Sequence, residues 1–137
     1  MTAIAIIAHI PLASALHDCA THVYGNIENF VFFDIAPDVN PDQKVNEIAG
    51  QLSNMAGNNN AVLVLADLGG ATPANIGARA VQVLQGSGVK AHILSGTNAC
   101  MILNAIRYRD KPLEELCESV FEGGKKGMKC IDLAKDQ

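Results

Sequence analysis

Short, unbroken apolar runs constrain the fold of this chain more than any other feature of its sequence. Residues 3–8 and 61–66 are entirely apolar, and polar residues follow each run at once. Unbroken apolar runs of this length indicate strands buried on both faces, whereas a half-exposed strand alternates apolar and polar residues. Helices must therefore cover both sides of a mainly parallel sheet, which predicts an α/β fold.

Helix-starting signals separate the strand-like runs. We predict strands over residues 3–8, 30–35, 61–66 and 89–94, alternating with helices that begin near Pro11, Asn40, Thr72, Asn98 and Pro112. Asn40 is the clearest cap, because Pro41 suits the first turn and Gln43 can complete a capping box. Glycines at 123, 124 and 127 are expected to weaken the last helix, and residues 129–133 are expected to form a short C-terminal edge strand.

This alternation predicts one domain over residues 1–137, built as a three-layer sandwich. Right-handed crossovers favour a four-stranded sheet in the order 2-1-3-4. In such sheets ligands bind beyond the carboxyl ends of the strands, where the strand order reverses. Here that point lies between the first and third strands.

Composition argues against several classes of function. The chain has 14 acidic and 10 basic residues, so it lacks the basic surface of a nucleic-acid-binding protein. Aromatic residues are 4% with no Trp, which argues against platforms for stacking bases or sugars. The four cysteines form no Cys-x-x-Cys pair, so we expect buried, reduced thiols and predict neither a metal nor a cofactor.

The apolar N-terminal run is too short to be a membrane span or an ordinary signal peptide. Residues 1–8 lack a basic residue, and His9 interrupts them. No other apolar run approaches the length of a span. The sequence therefore predicts a soluble, cytoplasmic protein without membrane insertion.

The two central strands each end in a polar residue that can do chemistry. The first strand leads into His9, and the third leads into Asp67. A carboxylate that accepts from one imidazole nitrogen fixes the tautomer and leaves the other nitrogen nucleophilic. His9 and Asp67 are therefore the candidate catalytic pair, although a strand-end histidine can equally be structural.

A small-residue loop follows Asp67 and leads to a helix start. Gly70, Ala71 and Thr72 place backbone amides and a hydroxyl where the helix dipole favours an anion, so they are the candidate phosphate-binding residues. A plain turn is the alternative. Neither a nucleotide-binding P-loop nor a dinucleotide fingerprint is present.

The other histidines favour structural interpretations. His17 and His22 lie on different faces of a predicted helix, and we expect both to be solvated. His92 lies within a strand pattern, and we expect it to be a hydrogen-bonded structural residue.

Three segments in order resemble the IIA component of the mannose/fructose/sorbose class of the bacterial sugar phosphotransferase system. Residues 4–9 resemble the strand that ends in that family's phosphorylated histidine. Residues 63–75 resemble its aspartate loop, and residues 96–101 resemble its Gly-x-Asn-x-x-Met segment. The chain departs from the family at Ile10, where Gly is common, and at Gly69, where an aromatic residue is usual.

The resemblance implies a phosphocarrier. His9 would accept a phosphoryl group from HPr and pass it to a IIB partner, while Asp67 would hydrogen-bond the other ring nitrogen. Ile10, Pro11 and Leu68 would form an apolar rim for partner docking. Family members are homodimers in which a C-terminal strand can exchange, which makes residues 129–133 the candidate for that strand.

Three other functions stay open at this point. The chain could be a phosphoryl-relay subunit of a dihydroxyacetone kinase, or a regulator whose phosphorylation state other proteins read. It could also be a small-molecule-binding module in which His9 is an ordinary ligand contact. The sequence does not identify a sugar.

Overall fold

The computed structural model describes residues 1–134 of the chain, which form an α/β sandwich. Its strands are β1 (Ala3–His9), β2 (Phe30–Ile35), β3 (Ala61–Ala66) and β4 (Lys90–Leu94). Its α-helices are α1 (Leu12–Tyr24), α2 (Pro41–Ala56), α3 (Thr72–Gly86), α4 (Ala99–Arg107) and α5 (Leu113–Gly127). A single 3₁₀ turn, Gly57–Asn59, follows α2.

The four strands are parallel and lie in the order β2-β1-β3-β4, which confirms the predicted topology. The central strands β1 and β3 are buried along nearly their whole length. Their apolar side chains alternate between two cores. One core packs under α2 and α3, and the other packs under α1, α4 and α5, which makes the three layers.

Helix caps form largely where the sequence indicates them. Asn40 caps α2, its side-chain oxygen accepting the N–H of Gln43 at 3.2 Å. Asn98 caps α4 in the same way, accepting the N–H of Met101 at 2.9 Å. Both caps fix the direction in which a helix leaves the sheet edge.

Helix α5 does not weaken at its glycines, contrary to the sequence prediction. It continues through Gly123 and Gly124 to Gly127 because these positions pack directly against α4. A Cβ atom at Gly123 would lie 2.3 Å from Asn104, and one at Gly127 would lie 2.3 Å from Cys100. Glycine permits this close approach of the two helices, which offsets its low helix propensity.

The predicted edge strand at residues 129–133 does not form within the single chain, contrary to expectation. The segment makes no strand pairing and is exposed, with Ile131 and Leu133 more than half exposed. Because α5 stays helical to Gly127, the chain leaves from the helical layer and not along a sheet edge.

Candidate functional site

The structure brings His9 and Asp67 into direct contact at the carboxyl edge of the sheet. His9 ends β1, and Asp67 follows β3, its neighbour in the sheet. Ring atom Nδ1 of His9 lies 2.7 Å from Oδ2 of Asp67. The pair therefore lies at the carboxyl edge between β1 and β3, where the strand order predicts a site.

The carboxylate of Asp67 is surrounded by donors. Its Oδ2 also accepts the backbone N–H of His9 at 3.0 Å, and its Oδ1 accepts the N–H of Leu68 at 2.8 Å. The Asp67 side chain is only 6% exposed, whereas that of His9 is 51% exposed. The acid is thus fixed inside the protein and the base is presented to solvent.

These contacts determine the protonation of the pair. Burial by itself raises the pKa of Asp67, but the hydrogen bonds from His9 and Leu68 and the charge of His9 outweigh it, so the pKa lies below its usual value. An ionised carboxylate can only accept, so Nδ1 of His9 carries the proton of their shared bond. In the neutral ring, Nε2 then holds the free lone pair.

The loop between β4 and α4 supports the backbone of Asp67. The N–H of Gly96 donates to the carbonyl of Asp67 at 2.9 Å. Thr97 donates twice to the carbonyl of Ala66, from its N–H at 3.1 Å and from its hydroxyl at 2.6 Å. The sequence indicated Asn98 as a helix start, but it assigned Gly96 and Thr97 no role in the site beyond a resemblance. Polar residues at the end of β4 were the available signal.

The candidate phosphate-binding loop starts α3 without a side-chain cap. Ala71 is the N-cap residue, and Thr72 is the exposed first residue of the helix. Gly70 has φ of +85°, a backbone conformation that favours glycine. Among residues 1–134, no hydrogen bond joins the Thr72 hydroxyl to His9 or Asp67, so it is placed at the helix start without being part of the pair's own network.

The predicted apolar rim is exposed. Ile10 is 54% exposed and Leu68 is 60% exposed, and they follow His9 and Asp67 directly in the chain. Pro11 is exposed as well, and so is Leu12, which the sequence did not single out. Large apolar side chains therefore stand beside the exposed imidazole.

Asp34 secures the start of α1, a role that sequence reasoning missed. Pro11 at the N-cap offers no side-chain acceptor, and Oδ1 of Asp34 on β2 accepts the N–H of Ser14 at 3.0 Å instead. The contact ties the helix that follows His9 to the sheet. The signal was available, because Asp34 is a polar residue near the end of an apolar strand.

The remaining histidines differ in part from expectation. His17 is only partly exposed: its Nε2 lies 3.0 Å from the carbonyl of Phe30, and its ring stacks on that of Phe30 with centroids 4.4 Å apart. His22 is exposed, as predicted. His92 is exposed on edge strand β4, and its ring makes no hydrogen bond to residues 1–134, so the expected structural bond is absent.

The cysteines are not all buried, contrary to expectation. Cys19 and Cys130 are exposed, Cys100 and Cys117 are partly buried, and all four thiols are free. Burial raises the pKa of Cys117 to about 11, so this thiol is protonated and unreactive at neutral pH. Over residues 1–134, no group of three or more candidate metal ligands converges.

The part of the chain that the structure describes contains no membrane-spanning helix. None of the helices there combines the length and the apolar character that crossing a bilayer requires.

Solved structures of phosphotransferase IIA proteins share this fold. The mannose/sorbose-specific IIA subunit from Enterococcus faecalis superposes with a TM-score of 0.80 at 22% identity, covering 96% of both chains. Component EIIA from Streptococcus agalactiae gives a TM-score of 0.76 at 23% identity over 98% of each chain. The IIA protein associated with the fucose utilization operon of Streptococcus pneumoniae gives 0.76 at 20% identity, over 95% of this chain and 96% of that one.

The family comparison covers most of the sequence. Residues 3–121 match the family described as the fructose IIA component of the phosphotransferase system. No individual curated protein matches the chain. The extent of the family match and the resemblance of residues 4–9, 63–75 and 96–101 agree, and the chain belongs to this family of phosphotransferase-system IIA components.

Proposed function

We propose that His9 accepts a phosphoryl group from the phosphohistidine of HPr and passes it to a IIB partner. One observation carries this proposal: the bond between His9 Nδ1 and Asp67 Oδ2, 2.7 Å long, leaves Nε2 as the reactive atom of an exposed ring. We further propose a cytoplasmic location for this relay.

The transfer needs few protein groups. Nε2 of His9 attacks the phosphorus in line, a new N–P bond forms, and the N–P bond to the HPr imidazole breaks, so that HPr leaves with a free ring nitrogen. Nδ1 keeps its proton, and the phosphorylated ring becomes positively charged. The ionised Asp67 stabilises this charge. The same steps in reverse deliver the group to IIB.

The start of α3 would hold the phosphoryl oxygens. The loop of Gly70, Ala71 and Thr72 begins three residues after Asp67 and ends at a helix N-terminus without a capping side chain. Unpaired amides at such a terminus, together with the Thr72 hydroxyl, favour a dianionic group. The exposed rim of Ile10, Pro11 and Leu68 would exclude water when a partner docks.

We propose that the protein is a homodimer in which residues 129–133 exchange between subunits. In the single chain this segment exposes Ile131 and Leu133 and makes no strand pairing, while β4 is an edge strand. Burial of these apolar side chains on a second copy would stabilise the pair. Sedimentation of the full chain, compared with a variant truncated after Gly127, tests this; a full-length monomer would contradict it.

The phosphorylation test combines the chain with phosphoenolpyruvate, enzyme I and HPr. We expect one phosphoryl group per chain, mapped by mass spectrometry to His9, and none on His9→Gln. His22→Gln is the matched control, because His22 is an exposed imidazole on α1 and should leave labelling unchanged. Equal labelling of His9→Gln would overturn the proposal.

The acceptor is tested in a second step with the phosphorylated chain. Transfer to a IIB protein supports the sugar-transport role, and transfer to a dihydroxyacetone kinase subunit would replace it. Labelling by HPr without onward transfer to either acceptor would assign a regulatory role. A bound metabolite without labelling would instead assign a small-molecule-binding module.

A further inference from the structure

Two loops meet at the carboxyl edge of the sheet, next to Asp67. One follows β3 and carries Asp67, and the other follows β4 and carries residues 95–98. A Cβ atom on Gly69 would lie 3.1 Å from Oγ of Ser95, so the loops approach each other closely. The orientation of Asp67 therefore depends on how the second loop is seated.

The second loop holds the peptide groups on both sides of the Asp67 Cα atom. The carbonyl of Ala66, which precedes Asp67, accepts two hydrogen bonds from Thr97. The carbonyl of Asp67 accepts the N–H of Gly96. With both peptide planes held, the Cα–Cβ bond of Asp67 has one direction.

We propose that Thr97 is a positioning residue, whose hydroxyl bond to the carbonyl of Ala66 orients the Asp67 carboxylate so that His9 keeps the Nδ1–H tautomer. This inference rests on the proposed function for its kinetic consequence, but its structural consequence holds for the free protein. At 2.6 Å, the hydroxyl bond is the shorter of the two bonds from Thr97.

The hydroxyl can be removed without dismantling the loop. The N–H of Thr97 still bonds to Ala66, and Asn98 caps α4 while its side-chain amide donates to the carbonyl of Gly124 at 3.2 Å. These contacts keep residues 95–98 in place. Loss of the hydroxyl therefore acts mainly on the peptide group that leads into Asp67.

A small rotation at Asp67 has a direct effect on His9. Oδ2 of Asp67 accepts both the ring N–H and the backbone N–H of His9, which requires one carboxylate orientation. When the carboxylate turns, the ring bond lengthens and the Nε2–H tautomer gains population. That tautomer has no lone pair at the exposed nitrogen.

The test uses Thr97→Val, which retains the branched shape and removes the hydroxyl. Nitrogen-15 chemical shifts of the His9 ring report the tautomer directly, and we expect the Nδ1–H share to fall. The rate of phosphoryl acceptance from HPr should fall about fivefold to tenfold, as for one lost hydrogen bond, with an unchanged KM for HPr. Thr97→Ser should restore both values.

Thr21→Val is the matched control. The hydroxyl of Thr21 donates to the carbonyl of His17 at 2.9 Å within α1, so the variant loses a comparable bond away from the pair. It should leave the His9 shifts and the rate unchanged. Thr97→Ala removes the same hydroxyl with a smaller side chain, and should reproduce the effect if Thr97→Val does not fold.

Unchanged nitrogen shifts in a folded Thr97→Val or Thr97→Ala protein would overturn this inference, and so would failure of Thr97→Ser to restore them. The tautomer measurement needs no partner protein. If the native chain is not phosphorylated, the proposed function fails, and the nitrogen shifts still decide the role of Thr97.

Discussion

The two edges of the sheet carry opposite kinds of polar contact. At the amino edge, Arg109 is 7% exposed and donates four hydrogen bonds, two to the carbonyl of Thr2 and one each to those of Glu28 and Asn29. At the carboxyl edge, the His9 side chain is half exposed and uses one ring nitrogen for Asp67. The guanidinium nitrogens at one edge all have acceptors, whereas Nε2 of His9 at the other makes no hydrogen bond to residues 1–134.

The polar contacts at the amino edge serve the stability of the fold, and those at the carboxyl edge leave a side chain available for chemistry. Burial lowers the pKa of Arg109, while the charges of Asp110 and Glu28 oppose this shift, and the guanidinium remains protonated at neutral pH. Its acceptors are backbone carbonyls, so it joins the start of β1 to the turn before β2. A buried guanidinium whose nitrogens are all hydrogen-bonded stabilises the fold. A phosphoryl acceptor instead needs an exposed atom with a free lone pair.

The largest expected effect comes from Asp67→Asn at the reactive edge. An amide can donate to Nδ1 of His9 and favour the wrong tautomer, so phosphoryl acceptance from HPr should fall about 10³-fold. The initial labelling rate measures this. Asp42→Asn, at an exposed aspartate on α2, should label at the native rate. A native rate for Asp67→Asn would remove the carboxylate from the mechanism.

The next largest effect is expected from Arg109→Leu at the amino edge of the sheet. Loss of the guanidinium removes both of its bonds to the buried carbonyl of Thr2 and its bonds to the part-buried carbonyls of Glu28 and Asn29, so the free energy of unfolding should fall by about 3 kcal/mol. Urea unfolding measures it, and the labelling rate of the folded protein should not change. Arg79→Leu breaks only an exposed ion pair with Asp42 and should cost less than about 1 kcal/mol. Equal losses of unfolding free energy in Arg109→Leu and Arg79→Leu would contradict the contrast between the two edges of the sheet.

Asp34→Ala tests whether the reactive edge also depends on a cap. The variant removes the acceptor for the N–H of Ser14, so the free energy of unfolding should fall by about 1 kcal/mol. Because α1 follows the docking rim directly, the KM for HPr should rise. Asp38→Ala, at an exposed aspartate after β2, should change neither quantity. No loss of stability in Asp34→Ala would exclude the capping role.

The smallest expected effect is the response of stability to acid. The folded-state pKa of Asp67 lies below its ordinary value of 3.8, so its contribution is fully present above that pH and is lost as the pH falls through the folded pKa. The change in unfolding free energy is modest because burial raises the pKa of Asp67 while its hydrogen bonds lower it. The free energy of unfolding, measured with urea between pH 5 and pH 2, should decline less steeply for Asp67→Asn. Identical slopes would contradict the ionised, hydrogen-bonded carboxylate.

The fold and the contact between His9 and Asp67 could be predicted because both follow from local patterns. Unbroken apolar runs marked the strands, and polar residues directly after two of them marked His9 and Asp67. Parallel strands in the order 2-1-3-4 bring those two ends together. Polar residues at the ends of strands signalled Asp34 and Thr97 only in part, because the sequence does not show which backbone group each one bonds. Arg109 was missed for the same reason, since its acceptors are backbone carbonyls, which every residue carries.

The sequence by itself determined the alternation of strands and helices, the topology of the sheet and the identity of the pair at its carboxyl edge, because hydrophobic periodicity and strand polarity are local. Tertiary structure alone decided that α5 runs through its glycines, that residues 129–133 form no strand in the single chain, and that Thr97 supports Asp67. Each of these depends on how closely separate elements approach. Such distances arise from the packing of the whole chain and have no signature in any one segment.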